Sequence, residues 1–229
     1  MNILLLGRGK TGSLVAEIAT NRKHHVTKIG AVENADCAAL TPEKLRDIDV
    51  VIDFTAPHCV LAHIEACVKV GKNMVVGTTG WHGEIDRVRK LVESHGTGLV
   101  YAANFSIGVN LFFDIVRAAS AALHHDYSGQ IFERHHARKK DAPSGTAIAI
   151  QKAIAEASGE KKEDVEIVSF REGEVVGMHE VVLESAADCI YLCHDAKSRR
   201  GFAEGAVRAA EWVQGKKGFY DFKEVWRQL

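Results

Sequence analysis

The chain has 229 residues, 46% of them apolar and 26% charged, with 29 Lys and Arg set against 30 Asp and Glu. That balance excludes a disordered chain and a broad basic field for nucleic acid, and an aromatic share of 7% leaves few rings for base stacking. The length allows one large domain or two small ones. No unbroken apolar run reaches the roughly 18 residues of a membrane span, and MNILLLGRGK has no basic stretch ahead of its apolar residues, as a signal peptide would. Five scattered cysteines (Cys37, Cys59, Cys67, Cys189, Cys193) contain no CxxC pair, so a reducing, cytoplasmic location is expected, with no disulfide framework and no metal site.

In chain order, Asn2–Leu6 reads as a buried strand, and Leu14, Val15, Ile18 and Ala19 place a helix over Thr11–Arg22. His25–Val32 is the second strand and Asp49–Phe54 the third, with room between them for little more than one helical turn at Thr41–Leu45. Pro57 suits the first turn of a helix carrying Leu61, Ile64 and Val68 and stopping at Gly71. Asn73–Val76 is the fourth strand, a helix bears Ile85, Val88, Leu91 and Val92, and Leu99–Ala102 is the fifth strand. This alternation predicts a parallel sheet with both faces covered.

The character changes after Phe105. Val109–His124 reads as one long helix, followed by a strand at Gln130–His135 and a helix opening at Pro143–Thr146. Strands follow near Val165–Phe170, His179–Leu183 and Cys189–His194, then a helix over about Phe202–Val213. Consecutive strands with little helix between them predict a second, α+β domain. Cys189 and Cys193 are expected in its buried core, and Phe219, Tyr220, Phe222 and Trp226 are expected to pack the C-terminal tail.

Gly7-Arg8-Gly9-Lys10-Thr11-Gly12 is a GxGxxG turn between a strand and a helix. Its first glycine permits the turn, the second lets the backbone approach a pyrophosphate, and the third lets helix and strand pack closely. Glu33, placed at the end of the second strand, would accept from ribose hydroxyls and repel a 2′-phosphate. NADH is therefore favoured, with NADPH open because Arg8 and Lys10 supply compensating charge. Gly77-Thr78-Thr79-Gly80 and Ala103-Asn104-Phe105-Ser106 follow the fourth and fifth strands, on the sheet edge where such ligands bind.

The densest polar segment is Glu133–Ala147, ERHHARKKDAPSGTA. Strand alternation sends His135 and His136 to opposite faces. Lys139 adds positive charge, and Ser144-Gly145-Thr146 opens a helix with N–H groups and hydroxyls aimed at an anion. The segment predicts an anion pocket with a titratable proton donor. Hydrolysis by a metal on His135 and His136 is not expected, for want of a carboxylate or Cys at ligand spacing.

ERHHARKKDAPSGTA resembles the signature of the dihydrodipicolinate reductase family, and further matches run along nearly the whole chain: GRGKTG, IDFTAP, GTTG, ANFSIGVN, VVGMHEV and HDAKSRRGFAEGA. The resemblance implies an α/β fold: a Rossmann domain over 1–105 and 203–229, and an inserted mixed-sheet substrate and oligomerisation domain over 106–202. It implies NAD(P)H-dependent reduction of the small cyclic dicarboxylate 4-hydroxy-tetrahydrodipicolinate to tetrahydrodipicolinate in diaminopimelate and lysine biosynthesis. His135 matches the proton donor and Lys139 the second catalytic residue. His136, Ser144, Gly145 and Thr146 match the carboxylate-binding positions. Gly7, Gly9, Gly12, Glu33, Gly77, Thr78, Thr79, Ala103, Asn104 and Phe105 match the cofactor contacts. A homo-oligomer, dimer or tetramer, is implied too. The chain departs from many relatives in a shorter glycine turn, a shorter link between the second and third strands, and the lack of an arginine-bearing stretch before Ser169–Gly173.

Overall fold

The computed structural model describes residues 1–159 and 165–229, which form two units, Met1–Ile107 with Arg200–Leu229, and Gly108–Arg199. The chain begins with β1 (Asn2–Leu6), α1 (Lys10–Asn21), β2 (His25–Ile29), α2 (Pro42–Leu45), β3 (Val50–Asp53), α3 (Val60–Lys69), β4 (Asn73–Val76), α4 (Ile85–Ser94) and β5 (Gly98–Tyr101). The elements α5 (Ile107–Ala119), β6 (Ser128–His135), α6 (Gly145–Ser158), β7 (Glu166–Arg171), β8 (Met178–Glu184) and β9 (Cys189–Asp195) follow. The chain closes with α7 (Arg200–Val213), β10 (Gly218–Asp221) and α8 (Phe222–Val225).

The first unit is a six-stranded sheet in the order β10-β5-β4-β3-β1-β2, parallel throughout. The central strands carry unbroken apolar runs, Ile3–Leu6, Val50–Ile52, Met74–Val76 and Leu99–Tyr101, because both of their faces are covered, whereas the edge strand β2 keeps exposed His25, Thr27 and Lys28. Ile3, Leu5, Ile52 and Val100 pack on Val15 and Ile18 of α1 and on the small residues Ala203, Ala206 and Ala210 of α7. Leu4, Val51, Met74 and Leu99 pack on Ile64 and Val68 of α3 and Val88 and Val92 of α4. The order reverses at β1, whose neighbours β2 and β3 lie on either side, so a ligand crevice is expected at the carboxyl ends of β1 and β3.

Three expectations change here. β2 stops at Ile29, and Val32 is 89% exposed in the turn beyond it. Pro57 lies in a turn ahead of α3, which starts at Val60. The tail does pack, with Phe219 and Phe222 buried, but it also supplies a sixth strand, β10, beside β5. Four residues are too few to show a period against the neighbouring aromatic cluster.

The second unit has a mixed sheet in the order β7-β6-β8-β9, with β6 and β7 parallel and the other pairs antiparallel. Its inward residues Ile131, Val181 and Leu183 pack on Phe112 and Val116 of α5 and on Ile150 and Ile154 of α6. The outward face carries Phe132, Phe170, Met178, Val182 and Tyr191. Cys189 and Cys193 share that face and are exposed, which corrects their expected burial; the inward set on β9 is Ile190, Leu192 and His194, opposite Leu183, Val181 and His179. The expected single helix becomes α5 followed by a 3-10 turn at Ser120–His124. Together Ile107–His124 is long and apolar enough, by length and composition, to cross a membrane. A count of unbroken apolar residues does not register it, because Asn110, Asp114 and Arg117 interrupt the stretch.

Candidate active site

At the carboxyl end of β1, Gly7 adopts φ +107°, and a Cβ there would lie 2.2 Å from the Phe54 carbonyl oxygen. A Cβ on Gly12 would meet the Gly7 oxygen at 2.4 Å, whereas Gly9 faces open space. Gly9 is also the N-cap of α1 and brings no side chain to its first turn. An open cradle at an uncapped helix N-terminus fits a phosphate group. It borders a cavity of about 620 Å³ lined by Gly7, Arg8, Gly30, Asn34, Thr55 and His58, among others. These residues fit a bound dinucleotide.

Glu33 lies four residues past the end of β2, not on it. Its carboxylate turns back to accept from Gly30 N at 3.1 Å and pairs with Arg8. Lys10 and Thr11 open α1. Of the other predicted cofactor contacts, Thr79 and Ala103 are exposed. Gly77 lies beneath the Phe54 ring, where a Cβ would meet Cε1 at 2.1 Å. Asn104 accepts from Ser106 N. Phe105 is buried against Phe54 and Phe222, so its ring belongs to the core.

Thr78 is buried in a network that spacing did not reveal. The fully buried carboxylate of Asp53 accepts from the hydroxyls of Thr78 at 2.6 Å and Thr55 at 2.7 Å, and from Thr55 N. Its other oxygen lies 2.7 Å from His63 Nδ1. His63 Nε2 in turn meets the Asn34 amide, which also accepts from Ala39 N. The chain of contacts ties the β2–α2 link to the end of β3.

In the second unit, Glu133 and His135 both point inward from β6, two residues apart, and both are buried. His135 Nδ1 approaches Glu133 Oε2 to 2.5 Å, oblique to the N–H direction. Glu133 Oε1 accepts from Arg171 of β7 at 2.6 Å and from Ser144 N at 3.3 Å. Ser144 caps α6 by accepting from Ala147 N, and its hydroxyl lies 3.1 Å from His179 Nε2 of β8. His135 and His179 meet edge to face. Lys139 Nζ reaches both oxygens of Asp141, at 2.8 and 2.9 Å. His136 follows the end of β6, and its Nδ1 is buried with no hydrogen-bond partner among the described residues. Ser144 is buried, Gly145 is exposed and Thr146 is half-buried.

The charges follow from these contacts. Burial opposes ionisation of Glu133, but Arg171, Ser169 and His135 outweigh it and hold its pKa down at about 2. Burial pushes His135 below the ordinary histidine value; Lys139 and Arg171 add to the fall, and Glu133 opposes it. Burial, with His135 alongside, pushes His179 down to about 4. At neutral pH both imidazoles are therefore neutral beside an ionised carboxylate. The ligand atoms of Glu133, His135 and His179 lie within 4.8 Å of one another, so a carboxylate does accompany His135, at i−2 on the same strand face. The Arg171 guanidinium on that carboxylate opposes a cation there.

Reasoning from the sequence missed Glu133, Arg171 and His179 as site residues. Glu133 was legible through strand alternation, since it shares a face with His135. Arg171 and His179 reach the cluster through pairing: Arg171 lies opposite His135 on β7, and His179 opposite Glu133 on β8.

Two family models match the chain: dihydrodipicolinate reductase, N-terminus, over residues 1–105, and dihydrodipicolinate reductase, C-terminus, over residues 108–226. The chain belongs to the dihydrodipicolinate reductase family. A 4-hydroxy-tetrahydrodipicolinate reductase of Christiangramia forsetii is 38% identical over 242 aligned residues, spanning 100% of this chain and 99% of the relative. One from Neisseria meningitidis is 38% identical over 198 residues, covering 79% of this chain and 73% of the relative. Among solved structures, a dipicolinate-bound dihydrodipicolinate reductase from Paenisporosarcina superposes with a TM-score of 0.78 at 25% identity, covering 98% of this chain and 99% of that one. An amine dehydrogenase from Mycobacterium smegmatis shares the fold, with a TM-score of 0.67 at 10% identity over 97% of this chain and 95% of that one. The family acts in diaminopimelate and lysine biosynthesis; this chain is a reductase, and its N-terminal domain is the one that binds NAD(P)H.

Proposed function

We propose that the chain reduces 4-hydroxy-tetrahydrodipicolinate to tetrahydrodipicolinate with loss of water, NADH held by the Rossmann domain (1–105, 203–229) and substrate by the inserted domain (106–202). The observation that carries this reading is the buried His135, set between Glu133, Lys139 and the start of α6. When bound, the nicotinamide supplies hydride. Loss of the 4-hydroxyl together with a neighbouring ring proton, as water, gives a conjugated cyclic imine; hydride addition to it leaves an electron pair that must take up one proton, and His135 is the donor in reach of the anion site. In the free chain His135 is neutral; a substrate carrying two carboxylates raises its proton affinity on binding, so that the proton arrives with the substrate. Lys139 and the N-terminal groups of α6, at Gly145 and Thr146, hold those carboxylates, with Ser144 fixing the turn and His136 beside it. The dipicolinate in the Paenisporosarcina structure has the same two carboxylates on a planar ring.

Glu33 favours NADH over NADPH, and its pairing with Arg8 supports that preference: a 2′-phosphate would have to take Arg8 from the carboxylate. The outward face of the second sheet, with Phe170 39% and Tyr191 65% exposed, supports a homo-oligomer, dimer or tetramer. Five free thiols fit a cytoplasmic location. The deciding experiment follows NADH and NADPH absorbance while a dihydrodipicolinate synthase makes the labile substrate in place. Oxidation that requires the synthase is expected, faster with NADH. No oxidation by a folded chain that still binds NADH would overturn the proposal.

A further inference from the structure

We infer that Glu133 is a positioning residue for His135: its carboxylate, clamped by Arg171, holds the imidazole with the Nδ1 proton toward Glu133 and leaves Nε2 to move the reaction's proton. The inference rests on the proposed role of His135 as donor. Four observations carry it.

Glu133 is fully buried, and its two oxygens are used differently. Oε1 takes both the Arg171 guanidinium and the Ser144 N–H. Oε2 has no hydrogen-bond partner among the described residues and faces His135 Nδ1 at 2.5 Å. A carboxylate removed from water with one oxygen satisfied is costly unless the other meets a positive or protonated group; the imidazole is the titratable group there, with the Ser169 hydroxyl of β7 also helping to hold Glu133 ionised.

The second observation is the opposite edge of the ring. A Cβ on Gly177 would lie 3.0 Å from His135 Nε2 and 3.3 Å from Cδ2. A side chain at 177 would cover the Nε2 edge, and glycine leaves it clear. Nδ1 is thus turned toward Glu133 while Nε2 keeps its approach.

The third is the sign of the surrounding charge. Lys139 from the loop after β6 and Arg171 from β7 disfavour a positive charge on His135, while His179 of β8, itself neutral with His194 of β9 behind it, brings no negative charge to offset them. Glu133 is the group acting on His135 that favours the imidazolium. A donor in this cluster can be charged and recharged only with that support. The fourth is the oblique approach of the two groups, which makes the contact one of charge as much as of hydrogen bonding, so the isosteric amide should lose the effect while keeping the shape.

The test uses the full chain. In wild-type protein near pH 8, ¹⁵N shifts of the His135 ring, assigned by their loss in His135→Gln, are expected to show a protonated Nδ1 and a bare Nε2; the reverse tautomer would overturn the inference. In Glu133→Gln, the alkaline limb of the kcat/KM profile is expected to move down by about one pH unit. Its kcat should fall about 10- to 100-fold, part of what a general acid contributes in all. Substrate KM and NADH affinity should stay within about twofold, and Glu133→Asp should recover part of kcat. A folded Glu133→Gln with an unmoved profile would also overturn the inference. If that variant does not fold, the wild-type tautomer decides alone. Full turnover by His135→Gln would instead defeat the donor role, and the tautomer measurement does not depend on it.

Discussion

His135 and Glu33 each carry a prediction of their own. His135→Gln removes the proton donor and leaves the dinucleotide cradle intact, so kcat should fall about 100- to 10,000-fold with NADH affinity unchanged. Single-turnover kinetics beside an NADH titration check both halves. Glu33 spends one oxygen on Gly30 N and pairs with Arg8, so its loss frees a guanidinium as well as removing a ribose acceptor. Glu33→Gln should weaken NADH about tenfold, the value of one charge-assisted hydrogen bond, and weaken NADPH less. Equal effects in fluorescence titrations would remove Glu33 from the ribose. The same scale explains why Thr78 and Phe105, which match cofactor positions in the sequence, present buried side chains: Thr78 donates to Asp53 and Phe105 fills the core, so each can offer a ligand only its backbone.

Helices and strands set which glycines tolerate change. Gly9 faces open space at the start of α1, so Gly9→Val should fold normally and lose dinucleotide binding, read by melting temperature against NADH titration. Gly205 in α7 has the opposite constraint. A Cβ there would lie 1.8 Å from the Phe105 carbonyl oxygen, and Gly205→Ala should cost about 3 kcal/mol, the upper end for overpacking. That loss should appear as a lower denaturation midpoint. The two glycines look alike in the sequence; one is kept for a ligand and the other for the close approach of α7 to the segment after β5.

Across the whole molecule, acid stability is written into the second unit. The unfolded chain protonates His179 below about 6.5, while the folded chain resists until about 4. Stability is therefore full above pH 6.5 and drains away as the pH falls toward 4, by about 3 kcal/mol from this group. Glu133, held at about 2 against an ordinary value of 4.5, adds a second loss at lower pH, since its charged form is the one the fold binds. Denaturation midpoints from pH 8 to 4 should fall, and His179→Gln should flatten the upper part of that slope. A slope unchanged in the variant would count against a neutral buried His179.

The sequence by itself determined the order of strands and helices through β5, the phosphate turn at Gly7–Gly12 and the segment His135–Thr146. Each is written in short-range terms: apolar period, glycines at a forced turn, and chemistry within one strand and the helix start after it. β10 and the true end of β2 were not legible, because a four-residue strand beside aromatic packing shows no period, and an exposed apolar residue such as Val32 reads like a strand end. Only the tertiary structure decided that Arg171 and His179 join Glu133 and His135, and that Asn34, His63 and Asp53 form one chain. Such convergence depends on strand register and on which face a pleat presents, and those are fixed when distant segments pair and bury their apolar sides together.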